Sequence, residues 1–487
     1  MFTKLRLINF SFSDLLFAII LGLVAGAFGY ISITNQSLYR TFALDLGMFN
    51  HALYQITELQ WPMFSLSVDG TVVPYFADHF SPIIYLFAPI YALFGASTLL
   101  YIQVLSLIVF AYYLRKIAIH YSLPPIVAIM APLLPLSCWA VFAAVGFDFH
   151  TNVFAAMMIS PVIYYTLKEK LVPLTIFTLL ILLCKENMSL WLFFILTGMW
   201  FQCKTELLAK TRRYLLFIAG FSIVYFVLVT SWWMPSLHPT GTNIQLNKYI
   251  GSNGGLSGVI GHCISHPIDT LGLLIYTPEG NISLDKLSFI AFFLASGGLL
   301  WFIHPILIWM TLPIAAQKFL SMNGGPWGIE AQYSIEIVPM IGWGLILFLR
   351  NYSTHFSVTF IALSVYASLH FTYSNFFLIQ PRVNFFHEDF SKSRFNIKEL
   401  NDLMTQIPEE ASVSCVSIFA PRLSDRDKIY HFPNINDATY LVLLKGNLST
   451  YPLNKEQYQA EITRLKADST WNAWAYTTDA VVFKRKE

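Results

Sequence analysis

Long apolar segments, separated by short polar ones, make up the first three quarters of the chain. Eleven of these segments approach the roughly 20 residues that an α-helix needs to cross a bilayer, so the pattern predicts eleven transmembrane helices. They lie at about 11–33, 96–115, 122–144, 151–167, 171–185, 188–203, 214–233, 287–303, 305–321, 335–349 and 355–375. We therefore expect a mainly α-helical, polytopic membrane protein.

The last part of the chain, residues 376–487, follows a different pattern. Helical periodicity at 396–408 and 455–467 alternates with strand-like stretches at 411–420, 438–446, 471–476 and 480–486. This region holds 28 charged residues, whereas residues 1–375 hold only 30. The pattern predicts a transmembrane domain over residues 1–375 and a small soluble α/β domain over residues 376–487.

Two segments between the predicted spans are long. The 34–95 segment contains amphipathic, aromatic-rich stretches, which predict helices lying along the outer membrane surface. An alternative is that residues 81–95 cross the membrane, although they contain two prolines. The 234–286 segment is rich in Gly, Ser, Asn and Thr, which is typical of a mobile loop that orders over a substrate.

The overall composition narrows the class of function. Only 12% of the residues are charged, about half the usual fraction for a soluble domain, and the net charge is +2. These values exclude a soluble enzyme and leave no electrostatic footprint for nucleic acid. The C-terminal region contains no glycine-rich phosphate loop, and we predict no cofactor.

The distribution of lysine and arginine sets the expected orientation. With the N-terminus in the cytoplasm, eleven basic residues lie in inner segments and five in outer segments, the soluble region being excluded. The inner ones are Lys4, Arg6, Arg115, Lys116, Lys168, Lys170, Lys204, Lys210, Arg212, Arg213 and Arg350. The odd number of spans then places the C-terminal domain on the extracytoplasmic side of the inner (plasma) membrane.

Ionisable residues cost free energy when they are buried in a membrane domain, so those that occur there are candidates for a functional role. The acids, histidines and lysine that we single out gather at the predicted outer ends of the spans; they are Asp45, Asp78, His79, Asp148, His150, Lys185 and Glu186. An ion or proton path would need such residues in mid-membrane. The distribution therefore favours an active site at the outer surface.

Some of these residues suggest a catalytic or binding role, and each of them also has a simpler structural interpretation. A carboxylate such as Asp45 can accept a proton from an incoming hydroxyl group. His79 precedes Ser-Pro and a helix, where a histidine can meet a phosphate near the helix N-terminus. The simpler interpretations stay open, since Asp45 or His79 can cap a helix, and Lys185 and Glu186 can neutralise each other.

A set of motifs, in order along most of the chain, resembles one known family. They are "DLGMFNHALYQ", "HFSPIIYLFAPIYALFG", "FDFHTNVFA", "CKENMSL", "SHPIDTL", "QYSIEIVP" and "IPEEASVSCVSIFAPRLSDRDKIYHFP". The chain is similar to the predicted membrane proteins of the DUF2079 family, which is related to the GT-C glycosyltransferases. These enzymes, such as protein mannosyltransferases and the aminoarabinose transferase of lipid A, use polyprenyl-phosphate sugars.

The resemblance implies a fold of GT-C type with about eleven spans, and an inverting glycosyltransferase. Such an enzyme transfers a sugar from a polyprenyl-phosphate donor to an acceptor hydroxyl group outside the membrane. The resemblance further implies that Asp45 is the catalytic base and Asp148 a second catalytic acid. It implies that His79, helped by Lys185 or His150, binds the phosphate of the donor.

One departure from the family pattern bears on metal binding. Many GT-C members carry an acidic pair in this segment, whereas Asp45 is followed by Leu-Gly, so we predict no required metal ion. Asp78 and Glu186 are further site candidates. The expected partners are the lipid bilayer, a polyprenyl-phosphate-linked sugar, and an acceptor that is a glycan, a lipid or a protein; no nucleic acid is expected.

Two alternative functions stay open. A transporter or flippase for a lipid-linked substrate predicts paired internal repeats and helices broken by Gly or Pro near mid-membrane. We find no convincing repeat in the sequence. A non-catalytic assembly subunit that keeps the fold predicts that Asp45, His79 and Asp148 lie far apart.

Overall fold

The structure is a computed structural model that describes residues 11–252, 255–446 and 450–486. Lys4 and Arg6, which contribute to the predicted orientation, lie outside the described residues. Helices make up most of the described chain, as the apolar pattern predicts. Their interior is lined by large buried side chains, including Trp139, Trp191 and Trp343.

The helices up to residue 237 include the first long apolar ones. They are α1 (Phe12–Ser37), α2 (Met48–Thr57), α3 (Tyr75–Asp78), α4 (Ile84–Phe94), α5 (Thr98–His120), α6 (Pro125–Met130), α7 (Leu133–Leu136), α8 (Trp139–Gly146), α9 (Thr151–Met157), α10 (Ile159–Leu167), α11 (Leu171–Leu182), α12 (Glu186–Gln202), α13 (Ala209–Leu228) and α14 (Met234–Leu237).

The later helices begin within the 234–286 segment, which the sequence analysis predicts to be a loop, and continue into the C-terminal region. They are α15 (Gly255–Ser265), α16 (Pro267–Gly272), α17 (Leu284–Phe293), α18 (Leu300–Ile303), α19 (Ile306–Phe319), α20 (Ile337–Leu349), α21 (Thr354–Thr372), α22 (Ile397–Met404), α23 (Ala420–Leu423) and α24 (Lys455–Ala467).

In the part of the chain that the structure describes, four helical runs are long and apolar enough to cross a membrane. They are Phe12–Ser37, Ile84–His120, Ala209–Leu237 and Thr354–Phe377, and a bent pair, Pro125–Leu136 with Trp139–Gly146, makes a fifth if it counts as one span. Several other predicted spans correspond to shorter apolar helices of 10–17 residues. Eleven full-length crossings are therefore not confirmed.

Prolines and glycine explain where predicted spans are interrupted. The predicted span at 122–144 bends by 59° between α7 and α8, in a stretch that contains Pro132 and Pro135. Proline cannot donate the backbone hydrogen bond that continues a helix. The predicted span at 287–303 breaks at Gly297, whose φ of 107° lies in a region that side chains other than glycine rarely adopt.

The helix predicted to lie along the membrane surface, α4, runs into α5 through a short 3₁₀ turn. Together they form one apolar run of 37 residues, Ile84–His120. The surface position of α4 stays a prediction, because the structure contains no membrane. A short antiparallel pair of strands, β1 (Met63–Phe64) and β2 (Val73–Pro74), closes the turn before α3.

The C-terminal region contains a five-stranded sheet. Its strands are β3 (Val413–Cys415), β4 (Ile429–His431), β5 (Tyr440–Leu444), β6 (Trp471–Tyr476) and β7 (Ala480–Arg485), in the order β4-β3-β5-β7-β6. Strands β3, β4 and β5 are parallel, and β7 and β6 join in antiparallel fashion. The alternation pattern indicates four of these strands; it misses β4, which has only three residues.

This sheet region lies directly against the 34–95 segment. The hydroxyl group of Ser417 accepts a hydrogen bond from the backbone N–H of Ala43 at 3.1 Å. The Arg422 guanidinium donates to the backbone carbonyl of Gln36 at 3.0 Å. Contacts between residues more than 370 positions apart in the chain thus hold the segment that carries Asp45.

Candidate functional site

Asp45 lies on a tight π-helical turn, Ala43–Gly47, that joins the end of α1 to α2. One side-chain oxygen of Asp148 accepts hydrogen bonds from the backbone N–H groups of Phe42 at 2.7 Å and Leu46 at 3.3 Å. The Asp148 carboxylate therefore caps the turn. The Asp45 side chain is 21% exposed and faces His150, with 3.4 Å between Oδ1 and Nε2.

Asp148 and His150 lie on the bend between α8 and α9. The Gln103 side chain of α5 holds this bend, because its Nε2 donates to the Asp148 carbonyl at 3.2 Å and its Oε1 accepts from the His150 N–H at 3.1 Å. The Phe147 ring stacks on the His150 imidazole with 5.7 Å between centroids. Both rings thus have a fixed orientation beside Asp45.

Arg382 completes this first group, and the sequence analysis did not select it. Its guanidinium lies over the Phe42 ring, 4.3 Å from the centroid, and its backbone carbonyl accepts a hydrogen bond from Asn35 at 2.8 Å. Burial raises the pKa values of both Asp45 and Asp148, and the positive charge of Arg382 opposes that rise. The available signal was a lone arginine after the last predicted span, within the aromatic stretch "NFFLIQPRVNFF".

Burial sets the protonation state of this group, which we call the Asp45 group (Asp45, Asp148, His150 and Arg382). Burial raises the pKa of Asp45 to about 7, against the lowering effects of Arg382 and Lys185. Burial also raises the pKa of Asp148, and the nearby Asp45 charge raises it further. The pKa of His150 is lowered, first by burial and then by Lys185 and His79, so the ring is neutral at pH 7.

A second group forms where the motifs "DHF" and "CKEN" meet. His79 lies 3.6 Å from an Asp78 oxygen through Nε2 and 3.8 Å from a Glu186 oxygen through Nδ1. The Glu186 carboxylate also accepts a hydrogen bond from the Phe80 N–H at 3.1 Å. We call Asp78, His79, Lys185 and Glu186 the Lys185 group.

The Lys185 side chain connects the two groups. It lies immediately before α12, and none of the described residues forms a hydrogen bond or an ion pair with its ammonium. Its charge lowers the pKa values of Asp45 and His150, so it is close enough to act on the first group. The sequence analysis allowed Lys185 and Glu186 to neutralise each other, but they form no ion pair within 4.0 Å.

Lys185 lines a cavity of about 160 Å³. Other charged or polar side chains on its wall include Glu186, Asn187, Gln245 and Gln317. The rest of the wall is mostly apolar and comes from α13, α15 and α19; it includes Phe226, Leu256, Val259, Pro313 and Ile314. The cavity therefore combines charged and polar groups with a largely apolar wall, as an amphiphilic ligand requires.

The 234–286 segment contributes directly to this site. Its Gln245 side chain donates to an Asp78 oxygen at 2.9 Å and accepts from the Lys248 ammonium at 2.7 Å. At the other end of the segment, the fully buried Lys286 ammonium donates to the carbonyls of Leu273 at 2.7 Å and Tyr276 at 2.9 Å. Gln245 is a second residue that sequence reasoning missed, because no motif marks it.

The structure thus places all seven predicted site residues in two adjacent groups. Asp45, Asp148 and His150 share one, and Asp78, His79, Lys185 and Glu186 share the other. Within residues 11–252, 255–446 and 450–486, no group of three or more His, Cys, Asp or Glu side chains is placed to hold a metal ion. The roles of these residues stay predictions.

Comparisons with known proteins followed from the sequence and the fold. The family model described as "Predicted membrane protein (DUF2079)" matches residues 34–478. No curated protein matches the chain. One similar solved structure is the crystal structure of ArnT from Cupriavidus metallidurans bound to undecaprenyl phosphate, at 12% identity and a TM-score of 0.48, covering 96% of this chain and 97% of that chain. At that TM-score the likeness carries no functional argument.

Proposed function

The chain belongs to the DUF2079 family of predicted membrane proteins, and we propose that it is a membrane glycosyltransferase of GT-C type. It transfers a sugar from a polyprenyl-phosphate donor to an acceptor hydroxyl group on the outer side of the membrane. The observation that carries the proposal is the position of Lys185. Its ammonium has no partner among the described residues, its charge acts on a carboxylate with a pKa of about 7, and it lines a cavity whose wall is mostly apolar.

The cavity and the Lys185 ammonium on its wall fit the donor. An ammonium without a protein partner binds a phosphate by a charge-assisted hydrogen bond, which is strong where water is excluded. The apolar wall from α13, α15 and α19 accommodates the first isoprene units of the lipid. The rest of the chain of the donor leaves between helices into the bilayer.

The reaction is a single displacement at the anomeric carbon. Asp45 takes the proton of the acceptor hydroxyl group, and the acceptor oxygen forms a bond to the anomeric carbon. The bond between that carbon and the phosphate oxygen breaks, and the electron pair leaves with the polyprenyl phosphate. A base with a pKa near the working pH is effective, because it is partly ionised and still binds the proton well.

The other residues orient these groups or stabilise charge. Lys185 and His79 stabilise the negative charge on the departing phosphate, a contribution that is often the largest in catalysis. His150, at 3.4 Å, orients the Asp45 carboxylate and can assist at the phosphate. Asp148 is fully buried, so we assign it the role of holding the turn on which Asp45 lies.

The test is transfer of a labelled sugar from a polyprenyl phosphate by the purified protein in proteoliposomes. Asp45→Asn removes the base and keeps the size of the side chain, so we expect the transfer rate to fall by at least about 100-fold. Glu58→Gln, at an exposed carboxylate that follows α2, is the matched control and should leave the rate unchanged.

Two results would contradict the proposal. One is an unchanged transfer rate in the Asp45→Asn variant when its thermal unfolding matches the wild type. The other is movement of the intact donor across the proteoliposome membrane without any transfer or hydrolysis, which would indicate a transporter or flippase.

A further inference from the structure

A second, smaller cavity lies next to the larger one and shares part of its wall. It measures about 20 Å³ and shares Lys185, Asn187, Ile314 and Gln317 with its larger neighbour. Its other walls are formed by Asn152, Lys318, Pro326, Gln332, Tyr333 and Glu336. A space of this size holds one water-sized group, such as a single hydroxyl group.

Three hydrogen-bond acceptors on the walls of this cavity have no partner among the described residues. The Glu336 side chain is 3% exposed; its Oε1 accepts from Asn152 at 2.8 Å, but its Oε2 accepts nothing. The Gln332 side chain is 7% exposed, and its Oε1 is also unpartnered. The Asn187 amide donates to Gln317 at 2.6 Å and leaves its own Oδ1 free.

Buried polar groups normally find partners, so these unpartnered oxygens point to a ligand that supplies donors. The nearby lysine at position 318 does not supply them. Its ammonium already donates to the carbonyls of Pro326 at 2.6 Å and Gly328 at 2.9 Å, and to the Ser334 hydroxyl group at 3.1 Å. A ligand with hydroxyl groups would satisfy the free acceptors.

We propose that this cavity recognises the sugar of the donor, an inference that rests on the proposed function. The sugar ring lies in the larger cavity beside Lys185 and Asn187, and one of its hydroxyl groups enters the smaller cavity. There it donates hydrogen bonds to Glu336 and Gln332. The partly exposed ring of Tyr333 offers an apolar face on the same wall.

This placement makes Glu336 and Gln332 residues that determine sugar specificity. A site built from buried acceptors rejects a ligand that lacks the matching donor, because the acceptors then stay unpaired. The bare polyprenyl phosphate carries no sugar hydroxyl group, so its binding does not depend on these two residues. The two lipids therefore separate sugar recognition from recognition of the phosphate and the lipid tail.

The experiment measures binding to the purified full-length protein in detergent. The probes are a polyprenyl phosphate and the same lipid phosphate carrying glucose, galactose or mannose. We expect the wild type to bind at least one of the three glycosylated lipids more tightly than the bare phosphate. Glu336→Gln and Gln332→Met should each weaken binding of that lipid roughly tenfold and leave binding of the bare phosphate unchanged.

Gln332→Met provides a second variant because the Gln332 Oε1 atom has no partner among the described residues, so its loss breaks no hydrogen bond that they make to it. Glu330→Gln, at an exposed carboxylate of the same segment, is the control and should bind all lipids as the wild type does. Lys185→Met should weaken binding of both kinds of lipid.

The outcomes separate the inference from the proposed function. If the wild type binds glycosylated and bare lipids equally, or if both variants weaken the two kinds of lipid alike, the sugar site is wrong, while the transfer activity tested with Asp45→Asn can stand. If the wild type binds no polyprenyl phosphate at all, the proposed function fails together with the sugar site.

Discussion

The turn that carries Asp45 is held by hydrogen bonds within the protein, whereas the ammonium of Lys185 has no hydrogen-bond or ion-pair partner among the described residues. The turn that carries Asp45 is fixed by Asp148 and by Ser417. The Lys185 group has ion-pair distances of 3.6 and 3.8 Å and borders a cavity of about 160 Å³. This difference suggests that the two groups have separate roles. The Asp45 group holds a base in a fixed position, and the Lys185 group offers an unpaired positive charge to a ligand.

The largest effect is expected from removing that free charge. Lys185→Met should lower the catalytic efficiency of transfer by about 100-fold, because a positive charge aimed at the departing phosphate is lost. The measurement is kcat and KM for the donor in proteoliposomes. Lys168→Met, at an exposed lysine that follows α10, is the control; an equal loss there would break the comparison.

A smaller effect is expected from Asp148, which lies on the other side of the comparison. Asp148→Asn keeps an oxygen that can cap the turn but removes the charge, so we expect about a tenfold loss of kcat. Combined with Asp45→Asn, it should add little further loss, because both act through the same base. If Asp148→Asn alone lowered kcat as much as Asp45→Asn alone does, Asp148 itself would be the group that takes the proton.

The pH dependence of the transfer rate tests the comparison between the two groups without a large loss of activity. Asp45 must be ionised to act as a base, so the rate should rise with pH through about 7, the pKa of Asp45. Arg382 lowers that pKa, so Arg382→Gln should raise it and move the rising limb of the pH profile to higher pH. A limb that stays in place would show that Asp45 is not the titrating base.

The smallest effect is expected where the C-terminal sheet region supports the turn. Ser417→Ala leaves the buried Ala43 N–H without its acceptor. The lost hydrogen bond should raise the activation free energy of transfer by about 1 kcal/mol, which is roughly a fivefold loss of kcat, with the KM for the donor unchanged. Ser417→Thr should restore the rate. Ser469→Ala, at an exposed serine, is the control, and a raised KM in Ser417→Ala would place the contact in substrate binding instead.

The sequence predicts the helical class and the site candidates for a simple physical reason. Apolar length reports the membrane directly, and ionisable residues are rare enough in such a chain that those remaining stand out. Interruptions such as the bend of 59° after α7 are harder, because a proline near a helix end is compatible with either a kink or a continuous span.

The residues that the sequence missed depend on contacts between distant parts of the chain. Arg382 acts on Asp45 because the backbone near residue 382 approaches α8 at Gly146, where an added Cβ would lie 2.2 Å from the Val383 side chain. Gln245 reaches Asp78 across 167 positions in the chain. Local periodicity carries no information about such approaches.

The bond between Ala43 and Ser417 also concerns how the protein is made. The two residues are 374 positions apart, and a ribosome adding about 5–20 residues per second makes the second about 19 to 75 seconds after the first. During that interval the segment that carries Asp45 lacks its hydrogen bond to Ser417, and the Asp45 group lacks Arg382 for most of the time. Under the proposed function, the site of transfer is therefore complete only after the last quarter of the chain has been synthesised and folded.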